Sequence, residues 1–124
     1  MSMQENFNQT MKFFFTIQLT NKLYHLNTTS FARHKATDAF DESLQSHIDK
    51  FAETFIGRYK LKPVINHIKI NPYFLSDNGI EELFIKIREY LQNFNKMYTD
   101  PDLLNIRDDL LVDVNKTIYL FQLK

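Results

Sequence analysis

The sequence predicts an all-α domain: a four-helix bundle with a long crossover between its second and third helices. Three observations carry this. Glycine and proline number only 2 and 3 in 124 residues, too few for the turns of a sandwich or barrel. Apolar residues recur at three- and four-residue spacing in four separate stretches. The gap between the second and third stretches is about 20 residues, longer than an ordinary helix–helix loop. It is long enough to cross the whole bundle and set those two helices parallel.

The first helix, α1, is predicted over about 7–26, with Phe7, Met11, Phe14 or Phe15, Leu19 and Leu23 on its face. Phe13-Phe14-Phe15 exceeds what one face uses, and the surplus is expected in a subunit interface or the core. Tyr24 and His25 close the helix. Asn27 to Ser30 is polar and fit to cap the second helix. Helix α2 then runs over about 31–56, with Gly57 as its C′ residue. Its stripe is Ala32, Ala36, Ala39 or Phe40, Leu44, Ile48, Phe51 or Ala52, and Phe55. The short link makes α1 and α2 an antiparallel hairpin. The crossover spans 58–78. Within it Val64-Ile65 and Ile68-Ile70 are expected to pack as a short helix or extended strip. Helix α3 is predicted over about 79–97, capped by Asn78 with Glu81, presenting Leu83, Ile87, Tyr90 or Leu91, and Phe94. Thr99-Asp100-Pro101 is the clearest start, a cap followed by Pro at N1. Helix α4 runs over about 101–123, with Leu103, Ile106 or Arg107, Leu110, Val114, Ile118 and Phe121.

Composition bounds the function. One domain covers residues 1–124. Hydrophobic residues are 44% and charged residues 24%, the balance of a globular chain. Lys+Arg and Asp+Glu each count 15, so no basic surplus drives non-specific DNA binding. Cysteine is absent. That excludes disulfides and thiolate sites and favours a cytoplasmic protein. The first 25 residues do not read as a signal peptide, and no apolar run reaches membrane-spanning length. No glycine-rich phosphate loop or nucleophile elbow is present. Asn, Lys, Ile, Phe and Tyr are abundant, as an AT-rich genome would give.

The most informative stretch is His34 to Glu53, HKATDAFDESLQSHIDKFAE. It holds two pairs at i, i+4 spacing, His34/Asp38 and Asp49/Glu53, each on one helix face. Asp38 and Asp49 lie about three turns apart, so all four side chains share one stripe. The pairs are separated by roughly 16 Å along the helix and cannot share an ion within it. A second copy packed antiparallel across a two-fold axis near Ser43 and Leu44 would join them. The hairpin adds His25 to the set. Histidine with carboxylates is the ligand mix of iron or zinc rather than calcium. A solvated face supported by i, i+4 contacts is the other reading of the same residues. His47 falls on another face and reads as surface or interface. His67 has no partner in the pattern. Asp108, Asp109 and Asp113 read as a solvated face, or as the lining of a cation path.

Residues 24–53 resemble the ferroxidase segment of the Dps mini-ferritins, within the ferritin-like superfamily. The counterparts are His25-Leu26-Asn27, Ser30-Phe31, His34 with Asp38, and Asp49-Lys50-Phe51-Ala52-Glu53. The spacing 34, 38, 49, 53 matches the family pattern without a gap. The resemblance is weaker over α1 and over Asp109 to Phe121, and extends only to layout in the crossover and α3. It implies a ferritin-like bundle that oxidises Fe(II) to Fe(III), usually with hydrogen peroxide and otherwise with oxygen. It also implies iron storage or detoxification under oxidative stress. His25, His34 and Asp38 of one chain would bind iron with Asp49 and Glu53 of its mate, zinc being a substitute ion. It implies a homodimer at minimum and a hollow dodecamer in the full assembly.

The chain departs from that pattern in four ways. The link between the two histidines is three residues shorter. Leu26 stands where the family has Trp, and the chain has no Trp. Residues 1–11 contain no Lys or Arg, so the family's basic DNA-binding tail has no counterpart. The chain is also shorter than most members. The Glu-x-x-His pairs of intra-bundle di-iron sites are absent. Two other classes therefore stand beside the ferroxidase: a structural or packaging protein, in a virion or virus factory if viral, keeping the fold without turnover, and a helical module whose Phe-rich surface binds a partner.

Overall fold

The computed structural model describes residues 1–123. Among them the chain forms four α-helices and no strand: α1 Met3–Asn27, α2 Phe31–Tyr59, α3 Asp77–Gln92 and α4 Pro101–Phe121. Single 3-10 turns lie at Pro72–Leu75 and Phe94–Lys96. Contacts at the helix ends fix the directions. Arg33, near the start of α2, reaches the Phe121 carbonyl at the end of α4 and pairs with Glu81 near the start of α3. Tyr59, at the end of α2, donates to Asp100 at the start of α4. Helix α2 is therefore antiparallel to α4 and parallel to α3. Tyr24, late in α1, bonds Asp77 at the start of α3, while Asn6 at the other end bonds Met97. So α1 is antiparallel to α3, and the crossover travels the length of the bundle, as the sequence predicts.

Most of that crossover, residues 60–71, has no regular structure. It lies along α1. Gln4 donates to the Lys62 carbonyl and Asn8 accepts from the Val64 amide. Two amide side chains thus satisfy backbone groups that an irregular strap leaves open.

Five boundaries differ from the pattern-based ones, three of them for a visible local reason. Helix α1 starts at Met3, because Ser2 and Glu5 form a capping box ahead of the first apolar period. Helix α2 passes through Gly57 and ends at Tyr59, where Lys60 takes the left-handed conformation at φ 57°. Arg58 and Tyr59 both hold the Asp100 carboxylate, which offsets the cost of a helical glycine. Asp100 is spent on those two and gives α4 no side-chain cap bond. Helix α3 is capped by Ser76 rather than Asn78, its hydroxyl accepting from the Gly79 amide at 3.0 Å. A Cβ on Gly79 would lie 1.8 Å from the Tyr73 carbonyl oxygen, so glycine lets the 3-10 turn pack on the helix. Helix α3 ends at Gln92 and α4 at Phe121, short of 97 and 123.

The core is aromatic. Phe51 sits at its centre and is fully buried, within 5.5–6.5 Å of Phe7, Phe14, Phe55, Phe94 and Tyr98. Phe7 stacks on Phe55 at 3.8 Å. A second cluster joins Phe40, Phe84, Phe121 and Tyr24. On α1 the buried face is Phe7, Met11, Phe14, Ile17 and Tyr24. Leu19, expected inside, is 44% exposed, and Leu23 is half-buried. The i, i+3, i+4 progression therefore runs through Ile17 and Tyr24. Of the triple Phe, Phe14 enters the core, Phe13 stacks on Tyr90 at 3.8 Å, and Phe15 is half-buried on the outer side. Replacing Phe51 with Ala should cost about 3–5 kcal/mol of unfolding free energy, by urea denaturation. A change under about 0.5 kcal/mol, the size expected at a surface position, would contradict this core.

Candidate metal centre

The short link brings the two histidines into direct contact. His25 lies in the last turns of α1 and His34 in the first turn of α2. Ser30 caps α2 through the Arg33 amide, and Thr28 accepts from the Ser30 amide, so the reversal is closed by its own side chains. The imidazole rings stack at 3.8 Å with planes 19° apart. Each ring reaches across to the other residue's backbone. Nδ1 of His25 lies 2.8 Å from the His34 carbonyl, and Nδ1 of His34 lies 3.1 Å from the His25 carbonyl. A carbonyl only accepts, so both Nδ1 atoms carry the proton and donate. In the neutral rings Nε2 then holds the lone pair, the arrangement second-shell carbonyls impose on metal-ligating histidine. Neither Nε2 has a hydrogen-bond partner among the described residues, and His25 Nε2 is not sealed off: the buried side-chain atom lacking a partner is Asn21 Oδ1.

The carboxylates lie further along the same helix. Asp38, Asp49 and Glu53 are all exposed on α2, as is His34, while His25 is 6% exposed. None of the three acids forms an ion pair or hydrogen bond with a described residue. Within one chain no group of three or more His, Asp or Glu able to hold a metal occurs among the described residues. The structure thus joins His25 to His34 and leaves Asp49 and Glu53 apart from them, as helix rise requires. The expected two-fold axis falls at the level of Ser43 and Leu44. Leu44 is in the core and Ser43 turns toward α4 to bond Asp113. At that level the outward residues are Glu42 and Gln45, with Asp41 half-buried.

Apolar surface flanks the stripe. Phe15 and Leu19 of α1 and Ile68 of the crossover line a shallow depression with Gln18, Lys22 and Asp41. Leu26 and Phe31, on either side of the link, are 67% and 73% exposed.

Several participants escape a reading of spacing alone. Thr37 is fully buried, and its hydroxyl lies 3.1 Å from His25 Nδ1. Asn21 donates to the Thr37 carbonyl. Thr37 is three residues past His34 and turned inward, so the helical period alone hints at it. Arg33 ties the region to the rest of the bundle, reaching the Tyr24 hydroxyl, the Asp77 and Phe121 carbonyls and Glu81. Burial, then the bond to Asp77, holds the Tyr24 phenol above its ordinary pKa. His47, read as surface or interface, is half-buried between α2 and α4. Its Nδ1 donates to the Ser43 carbonyl at 2.7 Å and lies 3.8 Å from Asp113, while its Nε2 lies 4.0 Å from Asp109. Asp108 is held by Arg107. Asp108 and Asp109 are exposed, as a solvated face requires, and Asp113 is half-buried against Ser43 and His47. No helix is long and apolar enough to cross a membrane among the described residues.

Fold and site define an all-helical four-helix protein with a histidine pair at one end and unpartnered carboxylates along one helix. The chain belongs to the family described as "Family of unknown function (DUF5856)", which matches residues 25–121. No curated protein and no solved structure matches it.

Arg33→Ala should lower unfolding free energy by about 1–3 kcal/mol, through lost charge-assisted hydrogen bonds. Chemical denaturation checks this, and an unchanged midpoint would mean the arginine is not the tie described.

Proposed function

We propose that the protein is a ferritin-like, Dps-like ferroxidase. It binds Fe(II) at sites shared between two copies and oxidises it, with hydrogen peroxide as oxidant. His25, His34 and Asp38 of one chain would meet Asp49 and Glu53 of the other across a two-fold axis. The observation that carries this reading is the reciprocally bonded histidine stack with both Nε2 atoms unpartnered. Nearly parallel rings do not direct their in-plane lone pairs at one point, so each imidazole serves its own ion. Two nitrogen donors suit Fe(II), and carboxylates suit the Fe(III) that forms and can bridge two ions. Two Fe(II) supply the two electrons that, with two protons, reduce one peroxide to two waters. His25, His34 and Asp38 form one half of the ligand set and Asp49 and Glu53 the other, and the two halves lie about 16 Å apart along the same helix, which is why the reading needs a partner copy. The helix directions, with a crossover making α2 parallel to α3, agree with the layout of ferritin-like bundles. Zinc would compete for the same donors. Storage in a closed shell belongs to the same proposal.

Exposed Leu26 and Phe31 beside the stripe favour a second reading, a self-associating structural protein with no turnover. Complementation separates the two. His34→Ala/Asp38→Ala and Asp49→Ala/Glu53→Ala chains should each be inactive alone. Refolded together, their heterodimer rebuilds one intact site of two, which is roughly a quarter of wild-type activity after random pairing. No recovery in a confirmed heterodimer, or full activity in either parent, would overturn the shared site.

A further inference from the structure

We infer that Thr37 is a positioning residue of His25, a second acceptor that together with the His34 carbonyl holds the ring in place as the Nδ1–H tautomer with its Nε2 lone pair available. The inference rests on the metal-site reading above for its purpose, but on hydrogen-bond accounting for its content. A threonine hydroxyl has one proton and two acceptor sites. Thr37 Oγ1 lies 2.8 Å from the Arg33 carbonyl, four residues back in α2. That carbonyl only accepts, so the proton is committed there. Toward His25 Nδ1, at 3.1 Å, the hydroxyl can only accept. His25 Nδ1 therefore faces two acceptors, Thr37 Oγ1 and the His34 carbonyl at 2.8 Å, and must carry the proton. The His34 ring has a single acceptor at Nδ1, the His25 carbonyl, at 3.1 Å.

The surroundings make this arrangement stiff. Thr37 is 0% exposed and Asn21 is 1% exposed. The Asn21 amide donates to the Thr37 carbonyl at 2.9 Å and leaves its own Oδ1 buried without a partner. An orphaned buried acceptor is destabilising. It stands where the same side chain pins α1 to α2 beside the histidines. This buried polar pair pins α1 to α2 one helical turn from each histidine and so holds the ring geometry.

The test uses the full chain carrying His47→Gln and His67→Gln, so that the two remaining histidines are His25 and His34. Nitrogen-15 NMR of the metal-free protein reads each ring's tautomer, and titration with zinc, a redox-inert probe, reads affinity. The expected result is Nδ1–H at His25 in the parent. Thr37→Val, nearly isosteric, leaves the His34 carbonyl as the one acceptor at Nδ1, so it should raise the Nε2–H fraction at His25 without making it the main form and weaken zinc binding about tenfold, the lower end for a lost second-shell partner. Thr37→Ser should restore both. Unfolding midpoints accompany each variant, and Thr37→Ala serves if Val does not fold. His25 signals and zinc affinity unchanged by Val or Ala would overturn the inference, as would an Nε2–H tautomer in the parent. A parent with the expected tautomer and no zinc or iron binding would overturn the ferroxidase reading while leaving Thr37's role intact.

Discussion

Everything at the candidate site depends on how little chain joins α1 to α2. Residues 28–30 are all that lies between the helices, so the reversal must be tight and the two helix ends must touch. Stacked rings and two crossed Nδ1–H to carbonyl bonds are the form that contact takes. The His25 carbonyl lies in the last turn of α1, where carbonyls lack an intrahelical partner, and the His34 imidazole satisfies it. The His34 carbonyl lies inside α2 and accepts the His25 imidazole as an additional donor, so each bond also orients a ring. Arg33, next in sequence to His34, then carries the constraint outward to Tyr24, Asp77, Glu81 and Phe121, so this end of the bundle is one connected network.

The crossover is the second constraint. With about 17 residues between α2 and α3, the chain has the reach to cross the bundle, and end-to-end contacts show that it does. This places α2 between α1 and α4 on its inner side and leaves its outer stripe open. Asp38, Asp49 and Glu53 are exposed because the helices of one chain cover the opposite face, the one bearing Phe40, Leu44, Ile48, Phe51 and Phe55. Carboxylates without partners on an open face, flanked by Leu19, Ile68, Leu26 and Phe31, are what a contact with a second copy would use.

The helices and their directions were legible in the sequence because apolar periodicity and a single long gap encode them. Most of the core of α2 comes from its period alone. Boundaries were less legible, since they depend on tertiary partners: Asp100 draws Arg58 and Tyr59 past Gly57, and Tyr73 presses on Gly79 to move the start of α3. On α1 the run of three phenylalanines obscures the phase, and Leu19 and Leu23 lose to Ile17 and Tyr24. At the site, the spacing of His34, Asp38, Asp49 and Glu53 identifies the stripe. Spacing along one helix is silent about what crosses between helices. The stacking of His25 on His34, the hydroxyl of Thr37 beneath them and the engagement of His47 with Asp109 and Asp113 emerge only once α1, α2 and α4 are side by side.

The most direct test of a shared ferroxidase site is an anaerobic Fe(II) titration of the purified protein, with the mass in solution taken on the same sample. The expected result is a dimer or larger assembly that saturates near two irons per site, about four per dimer, as for di-iron carboxylate centres, with rapid oxidation when peroxide is added. A well-folded dimer that binds no Fe(II) would contradict it and leave a self-associating structural protein. A well-folded monomer at working concentration would contradict it more deeply, because the two halves of the site would never meet.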